Sequence, residues 1–227
     1  MFKSSAITTK PLIDKTMRRL PVYLLLDTSG SMRGEPIAAV NVGLGALLAS
    51  LRQDPSALES VHVSVMTFDA VVNVLVPLTP LDQLQLPLVT APDSGPTFLG
   101  LALEALCKAF DHEVKRNTAD TKGDWAPLLF LMTDGSPTDL QVYEEQVLEV
   151  KKRPFGSIIG CAAGPKAKQQ YLSMLTDNVV ILDTMDSASF TSFFRWVSSA
   201  VSAGSRSQGL VETAPLPPPP TEIQFVI

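Results

Sequence analysis

Hydrophobic positions along this chain alternate between short continuous runs and longer stripes at helical spacing. Residues 21–27 are apolar up to a terminal carboxylate, and residues 128–133 repeat that pattern just ahead of Asp134. Such runs are typical of strands buried on both faces, which belong to parallel sheets. Three stripes indicate amphipathic helices: Ile37, Val40, Leu44, Leu48 and Leu51; Leu99, Leu103, Leu106, Phe110 and Val114; and Phe190, Phe193, Phe194, Val197 and Val201.

A hairpin interrupts this alternation. Two runs, residues 61–68 and 71–76, are joined only by Asp69 and Ala70, and so short a link predicts antiparallel pairing. Additional strands are predicted at residues 157–162 and 179–182, and additional helices at residues 138–152 and 166–175. We therefore expect an α/β fold: a three-layer, doubly wound, Rossmann-like domain with about six strands, mostly parallel with one antiparallel edge strand.

Both ends of the chain differ in composition from its middle. Met17 stands just before the first predicted strand, so residues 1–16 are interpreted as an N-terminal extension and residues 17–203 as the domain. Residues 204–227 form a tail rich in Ser, Gly and Pro, which includes a polyproline segment. The apolar residues 223–227 leave two alternatives: a loosely held tail, or a segment that docks on the domain or on another chain.

Composition narrows the classes of function. The 227 residues are 45% hydrophobic, enough for a substantial core in one domain. Eighteen Lys and Arg against 23 Asp and Glu give a formal charge of −5 without a basic run that could follow a phosphate backbone, so nucleic acid is not expected as a partner. Two Cys and two His exclude a disulfide framework and a site of three imidazoles or thiolates. A metal would therefore be held mainly by oxygen.

The sequence predicts neither a secretory signal nor a membrane span. Residues 1–20 carry several basic side chains without a continuous apolar segment. Further along, apolar stretches stay short of the roughly 18 residues that a spanning helix needs. We therefore expect a cytoplasmic protein, in which Cys107 and Cys161 are reduced thiols of the core.

Oxygen donors follow the first predicted strand at Asp27, Ser29 and Ser31. The carboxyl ends of parallel strands are where open α/β sheets place their ligands. A curled loop, which Gly30 permits, would bring the carboxylate and both hydroxyls toward one point. Three hard oxygen donors favour Mg²⁺ or Mn²⁺ over Ca²⁺, because Ca²⁺ generally takes more ligands at longer distances.

A second carboxylate, Asp134, follows the fourth predicted strand. If the strand order reverses between the first and fourth strands, Asp27 and Asp134 become neighbours across the crevice. Two facing carboxylates repel each other unless one is protonated or a cation lies between them. Thr97 precedes the long central helix and leaves two interpretations, a metal ligand or an ordinary N-cap hydroxyl.

Five of these residues together resemble the metal-ion-dependent adhesion site (MIDAS) of the von Willebrand factor type A (VWA) family, whose pattern is Asp-x-Ser-x-Ser, then Thr, then Asp-Gly. They are Asp27, Ser29, Ser31, Thr97 and Asp134. The resemblance covers roughly residues 20–203. It implies that the serines and the threonine reach the metal directly, that the carboxylates often act through bound water, and that one position is left for a partner's acidic side chain. Pro96 departs from the family pattern, which often has a second Gly there.

Three segments resemble one bacterial branch of that family, the TerY-type tellurium-resistance proteins. They are residues 17–32, 116–125 and 133–139. The resemblance implies a cytoplasmic adaptor of a bacterial tellurite-resistance or stress-response system, with a kinase or phosphatase of the same system as a candidate partner. It implies no direct chemistry on tellurite.

Enzyme classes share parts of the pattern. An aspartic protease is disfavoured, because neither Asp27 nor Asp134 lies in the order Asp-Thr-Gly and because the helices oppose an all-β fold. Nucleotide binding is disfavoured because Gly160 and Gly164 lack P-loop spacing. A Mg²⁺-dependent phosphoryl-transfer enzyme could use Asp27 as its nucleophile, although Ser29 stands where a second Asp is usual. We expect an interaction module rather than an enzyme and keep phosphoryl transfer as the alternative.

A long polar loop at residues 117–124 ends at Trp125. We expect this loop near the metal face. A large aromatic residue among turn residues is compatible with an ordinary surface loop, and it also suggests a loop that contacts a partner.

Overall fold

A seven-stranded sheet forms the middle layer of the described part of the chain, which in this computed structural model comprises residues 18–206, 216–220 and 224–226. The strands are β1 (Leu20–Asp27), β2 (Val61–Phe68), β3 (Val72–Pro80), β4 (Leu128–Thr133), β5 (Ser157–Ala163), β6 (Val179–Leu182) and β7 (Gln224–Val226). Their order is β3-β2-β1-β4-β5-β6-β7. The predicted extension at residues 1–16 lies outside the described residues.

The two uninterrupted apolar runs form the centre of this sheet. All eight residues of β1 and all six of β4 are buried, because each strand is covered on both faces. β1 pairs in parallel with β2 on one side and with β4 on the other, and Leu26 lies opposite both Thr67 and Met132. The strand order therefore reverses between β1 and β4. As predicted, the carboxyl ends of these strands are neighbours at the switch point.

Six helices cover the sheet within the described residues. They are α1 (Glu35–Leu51), α2 (Pro55–Ser60), α3 (Leu99–Glu113), α4 (Leu140–Lys151), α5 (Gln169–Leu175) and α6 (Ser187–Arg206). α1 and α6 pack in one hydrophobic cluster on one face, whereas α3, α4 and α5 pack in a second cluster on the other. The three-layer α/β architecture and the mostly parallel sheet are therefore confirmed.

Two short elements go beyond the sequence prediction. α2 was not among the predicted helices: Pro55 occupies its first position, and the Asp54 carboxylate accepts a hydrogen bond from Ser56 N at 3.0 Å. β7 comes from the C-terminal tail and pairs antiparallel with β6, with Gln224 opposite Ile181. The sheet thus has an antiparallel pair at each edge.

The tail also contacts the domain ahead of β7. Leu216 packs against the core cluster that contains α6, and the indole Nε1 of Trp196 donates a hydrogen bond to the carbonyl of Pro217 at 2.9 Å. Of the two alternatives for the tail, docking on the domain describes Leu216, Pro217 and the backbone of Gln224–Val226. Ile223 and Ile227 lie outside the described residues.

The two cysteines lie in the core, as the sequence predicts. Cys107 and Cys161 are buried free thiols, and burial raises the pKa of both. Among the described residues, none of the helices combines the length and the hydrophobicity needed to cross a membrane.

Candidate metal centre

Asp27 is fixed behind the loop that follows β1. Its side chain is buried, and both carboxylate oxygens accept hydrogen bonds: Oδ1 from Ser29 N at 2.7 Å and Oδ2 from the Thr133 hydroxyl at 2.6 Å. The first bond closes an Asx-type turn, which curls the chain as the Asp-x-Ser spacing predicts. The second bond links the ends of β1 and β4. The carboxylate is thereby held in one orientation.

The two serines and Asp134 meet in front of Asp27. The Ser31 hydroxyl donates to Asp134 Oδ1 at 2.9 Å, and the hydroxyl oxygens of Ser29 and Ser31 lie 3.3 Å apart. Ser29 and Asp134 are buried, whereas Ser31 is exposed. The cluster therefore combines a buried base with an opening to solvent.

Gly30 lets a second loop approach this turn. Its N–H donates to the carbonyl of Gly95 at 3.3 Å, and a Cβ at position 30 would lie only 2.8 Å from the Cα of Ser94. A side chain at this position would push the two loops apart. The absence of a side chain at Gly30 thus positions the segment that leads to Thr97.

Thr97 is buried beside the Asp134-Gly135 turn. Its hydroxyl oxygen lies 3.3 Å from the point that a Cβ on Gly135 would occupy. Its backbone is clamped by Thr138: Thr97 N donates to the Thr138 hydroxyl at 3.1 Å, and Thr138 N donates to the Thr97 carbonyl at 2.9 Å. α3 begins two residues later at Leu99 and has no side-chain hydrogen bond from its N-cap residue. The interpretation of Thr97 as an ordinary N-cap is therefore not realised.

Asp139 supplies the missing cap from another helix. Its carboxylate accepts hydrogen bonds from Gly100 N at 3.1 Å and from Leu101 N at 2.9 Å, at the start of α3. It lies at the N-cap position of α4 but forms no capping bond there. Thr133, Thr138 and Asp139 thus support the site, a role that the sequence pattern did not predict for any of them.

Burial raises the pKa of both carboxylates of the site. It raises the pKa of Asp27 to about 6, against the hydrogen bonds from Thr133 and Ser29, and the nearby charge of Asp134 adds to the rise. Burial also raises the pKa of Asp134, opposed by its hydrogen bond from Ser31 and by the positive charge of Lys166. A cation between the two carboxylates would compensate both charges.

The donor set suits a hard divalent cation. No group of three or more His, Cys, Asp or Glu side chains forms a metal cluster within the described ranges. This edge instead offers two carboxylates and hydroxyl oxygens, the ligands that Mg²⁺ prefers when it keeps several waters. The structure brings Asp27, Ser29, Ser31 and Asp134 into one hydrogen-bonded group and places Thr97 beside it. Their assignment as metal ligands remains a prediction.

The loop before Trp125 lies elsewhere, and the prediction that placed it near the metal face is wrong. Trp125 N donates to the carbonyl of Arg19 at 2.8 Å, just ahead of β1. The loop leads into the amino end of β4, which runs parallel to β1. In neighbouring parallel strands the amino ends lie together and the carboxyl ends lie together. This loop and Asp27 therefore lie at opposite ends of the strands, which we call the amino edge and the carboxyl edge of the sheet.

Comparison with solved structures shows the same fold. Proximal thread matrix protein 1 from the mussel byssus matches at a TM-score of 0.60 and 14% identity, over 80% of this chain and 47% of that one. A von Willebrand factor type A protein from Catenulispora acidiphila matches at 0.59 and 18%, over 82% and 43%. A structure of the mussel protein with a zinc-occupied MIDAS motif matches at 0.59 and 15%, over 82% and 46%. This chain spans less than half the length of these proteins.

Comparison with protein families gives a direct assignment. None of the curated proteins compared with the chain matches it. The family model of the von Willebrand factor type A domain matches residues 22–195, which include all five residues of the predicted site. This chain therefore belongs to the von Willebrand factor type A family, whose domains typically act as metal-dependent protein-interaction modules.

Proposed function

We propose that this protein is an adaptor that binds an acidic side chain of a partner protein through a divalent cation. Ser29, Ser31 and Thr97 would hold the cation, and Asp27 and Asp134 would orient it. Mg²⁺ is the expected ion, with Mn²⁺ or Ca²⁺ as alternatives. When bound, the cation would supply a Lewis-acidic position for the partner's carboxylate.

The observation that carries this proposal is the hydrogen-bonded group that joins Ser29, Ser31 and Asp134. The exposed Ser31 makes this group accessible to a large partner, whereas buried Asp27 and Asp134 provide negative charge beneath it. The Ser31 hydroxyl faces solvent, and a bound cation would compensate the charge of the two buried carboxylates, which would otherwise repel an incoming carboxylate.

Three residues have separate tasks in the proposed function. Asp27 holds the Ser29 backbone at 2.7 Å and so fixes the curl of the loop. Asp134 Oδ1 accepts a hydrogen bond from the Ser31 hydroxyl and so fixes the exposed member of the group. Thr138 clamps the backbone of Thr97 from both sides. The preorganised oxygens lower the entropy cost of binding a cation.

The surroundings of Asp27 do not favour the phosphoryl-transfer alternative. A nucleophilic carboxylate needs a free oxygen that faces the substrate. Both oxygens of Asp27 accept hydrogen bonds, and its side chain is only 1% exposed. This geometry suits a group that orients its neighbours, and we therefore propose that the protein is not an enzyme.

The partner and the cellular system are inferred from the resemblance of residues 17–32, 116–125 and 133–139 to TerY-type proteins. We propose that the protein serves a bacterial tellurite-resistance or stress-response system in the cytoplasm, with a kinase or phosphatase of that system as its partner. The zinc-occupied MIDAS motif of the mussel protein supports a divalent cation at the corresponding edge of a VWA fold.

Affinity capture with and without EDTA tests the proposal. The immobilised full chain is exposed to a bacterial lysate that contains the tellurite-resistance proteins, and captured proteins are identified by mass spectrometry. We expect a kinase or phosphatase that is retained with Mg²⁺, released by EDTA and lost with Ser29→Ala. Ser173→Ala, an exposed serine on α5, is the matched control and should retain it. Capture that ignores EDTA, or phosphoester hydrolysis that depends on Asp27, would contradict the proposal.

A further inference from the structure

A second candidate surface lies at the opposite edge of the sheet, beside the amino ends of β1 and β4. A cavity of about 510 Å³ opens there between the Trp125 loop and the carboxyl ends of α3 and α4. We call it the amino-edge cavity. Its wall includes Arg18, Lys115, Arg116, Trp125, Lys152 and Arg153.

The charges around the amino-edge cavity are predominantly positive. Five of its lining residues are Lys or Arg, whereas Asp124 is the one lining carboxylate among the described residues. Asp124 is neutralised from outside the cavity by Arg19, at 2.6 Å. On a chain with a formal charge of −5, such a concentration of cations is a local reversal of sign.

Carboxylates near the rim offset part of this charge. Asp111 pairs with Arg153 and lies 3.8 Å from Arg116, and Glu149 pairs with Lys152 at 2.6 Å. The ammonium group of Lys115 forms no ion pair with a described residue. A positive surplus therefore remains, and Lys115 is its most available member.

Trp125 gives the wall an aromatic surface and a donor without a partner. The guanidinium carbon of Arg18 lies 3.8 Å from the centre of the indole ring, in a cation–π contact. The indole Nε1 is buried and has no hydrogen-bond acceptor among the described residues. Buried donors are nearly always satisfied in folded proteins, so this N–H is available to an acceptor that reaches it from outside the described residues. Trp and Arg are also the residues on which binding energy concentrates in interfaces.

We infer that the amino-edge cavity is a second docking surface, which binds an acidic segment of a protein partner that carries an apolar side chain. The cations would bind the carboxylates, and the apolar walls around Trp125 and Phe110 would take the apolar side chain. Docking there needs no metal, because Asp27 and the MIDAS-like group lie at the other edge. The inference goes beyond the proposed function, since a domain with a recognition surface at each edge can bridge two partners.

A fluorescein-labelled peptide of alternating Glu and Asp with one central Leu serves as the probe, and anisotropy is measured on the full chain in EDTA. We expect binding that weakens with salt and falls roughly tenfold or more in Lys115→Glu/Lys152→Glu. The matched control, Lys151→Glu/Lys168→Glu, makes the same change in net charge with exposed lysines that do not line the cavity, and it should bind as the wild type does. Trp125→Phe, which keeps a ring and removes the N–H, should weaken binding when it is measured at a temperature at which circular dichroism shows the variant to be folded.

Three results would overturn the inference: no binding in EDTA at low salt, equal losses in the two double variants, or an affinity indifferent to replacement of the central Leu by Glu. Binding of a single-stranded oligonucleotide more tightly than the peptide, with the same dependence on Lys115 and Lys152, would overturn the assignment to acidic protein segments. The proposed metal-dependent function stands or falls separately, because the measurement is made without metal.

Discussion

The Ser31 hydroxyl donates a 2.9 Å hydrogen bond to Oδ1 of Asp134, a residue 103 positions away in the chain. This bond joins the loop after β1 to the turn after β4 at the point where the strand order reverses. Because Asp27 is linked to Thr133 in the same way, the two strand ends are connected by two separate hydrogen bonds. The site is therefore assembled by the topology of the sheet.

Removal of this link should abolish stabilisation by metal. At a Mg²⁺ concentration about ten times its Kd, binding adds about 1.4 kcal/mol to the free energy of unfolding, or about 3–5 °C in melting temperature. We expect this rise for the wild type and its loss in Ser31→Ala and Asp134→Asn. The melting temperature is measured by scanning calorimetry in EDTA and in Mg²⁺.

Asp82→Asn is the control for this comparison, because Asp82 is exposed and lies outside the site. It should respond to Mg²⁺ as the wild type does. A rise of equal size in all four proteins would show that the ion binds elsewhere.

The stability of the metal-free protein should fall as pH rises through the pKa of Asp27. Burial raises this pKa from an ordinary 3.8 to about 6, so between these values the folded state binds a proton that the unfolded state has lost. The resulting stability is present below about pH 4 and is lost as pH rises to about 6, a change on the order of 2–3 kcal/mol. Asp134, whose pKa is also raised, contributes with the same sign.

Urea unfolding in EDTA at pH 5 and pH 7.5 measures this effect. Asp27→Asn removes the titrating group, so the variant should gain stability relative to the wild type at pH 7.5 and gain less at pH 5. The same variant should respond poorly to Mg²⁺. A stability difference between the two proteins that does not change with pH would contradict the pKa of Asp27.

The pattern of hydrophobic residues predicts most of this fold because burial on both faces leaves a clear trace. β1 and β4 are apolar without interruption, and the stripes of α1, α3 and α6 face the core clusters as expected. Short elements leave no such trace. α2 has six residues and β7 has three, too few for a period to develop. The pairing of β7 with β6 is a tertiary contact, and the apolar sequence at the end of the tail does not specify where on the domain, or on which chain, the tail docks.

Local motifs predict the candidate site less completely than they predict the fold. The strand ends position Asp27 and Asp134, and both residues are where the pattern placed them. Local capping rules assign Asp139 to its own helix, yet its carboxylate caps α3, 38 residues earlier in the chain. The Trp125 loop was placed at the wrong edge although it precedes the strand that ends at Asp134. A loop that leads into a parallel strand lies at the amino end of that strand, so the predicted order of elements already excludes the metal face.

Loss of the Asp139 carboxylate should weaken both α3 and the metal site. Asp139→Ala leaves Gly100 N and Leu101 N without their acceptor, which costs about 1 kcal/mol for a capping interaction. Because the adjacent Thr138 clamps Thr97, metal affinity should also fall. Asp139→Asn keeps one acceptor and should restore part of the stability. Urea unfolding and Mg²⁺ titration measure the two effects.

Asp120→Ala, in the exposed loop at the other edge, is the matched control and should change neither quantity. If Asp139→Ala lowers stability but leaves Mg²⁺ affinity intact, Asp139 caps the helix without positioning Thr97.

Two glycines of α1 should respond to alanine with opposite signs. Gly43 faces α6, and a Cβ there would lie 2.3 Å from Cδ2 of the buried Phe194 ring and 3.1 Å from the carbonyl oxygen of Phe190. Since the ring has no room to move in a close-packed core, Gly43→Ala should lower the free energy of unfolding by about 1–3 kcal/mol. Gly45 is exposed on the same helix, with no atom within 4 Å of its Cβ position. Gly45→Ala should therefore raise the free energy of unfolding by about 0.5–1 kcal/mol, the ordinary gain in helix propensity.

Urea unfolding of the two single variants separates packing from propensity, because both changes add the same methyl group to the same helix. The double variant should show the sum of the two effects only if α1 keeps its position against α6. Stabilisation by Gly43→Ala would mean that the helices separate easily at this point. In that case, the close contact between Gly43 and Phe194 does not determine the spacing of α1 and α6 on this face of the sheet.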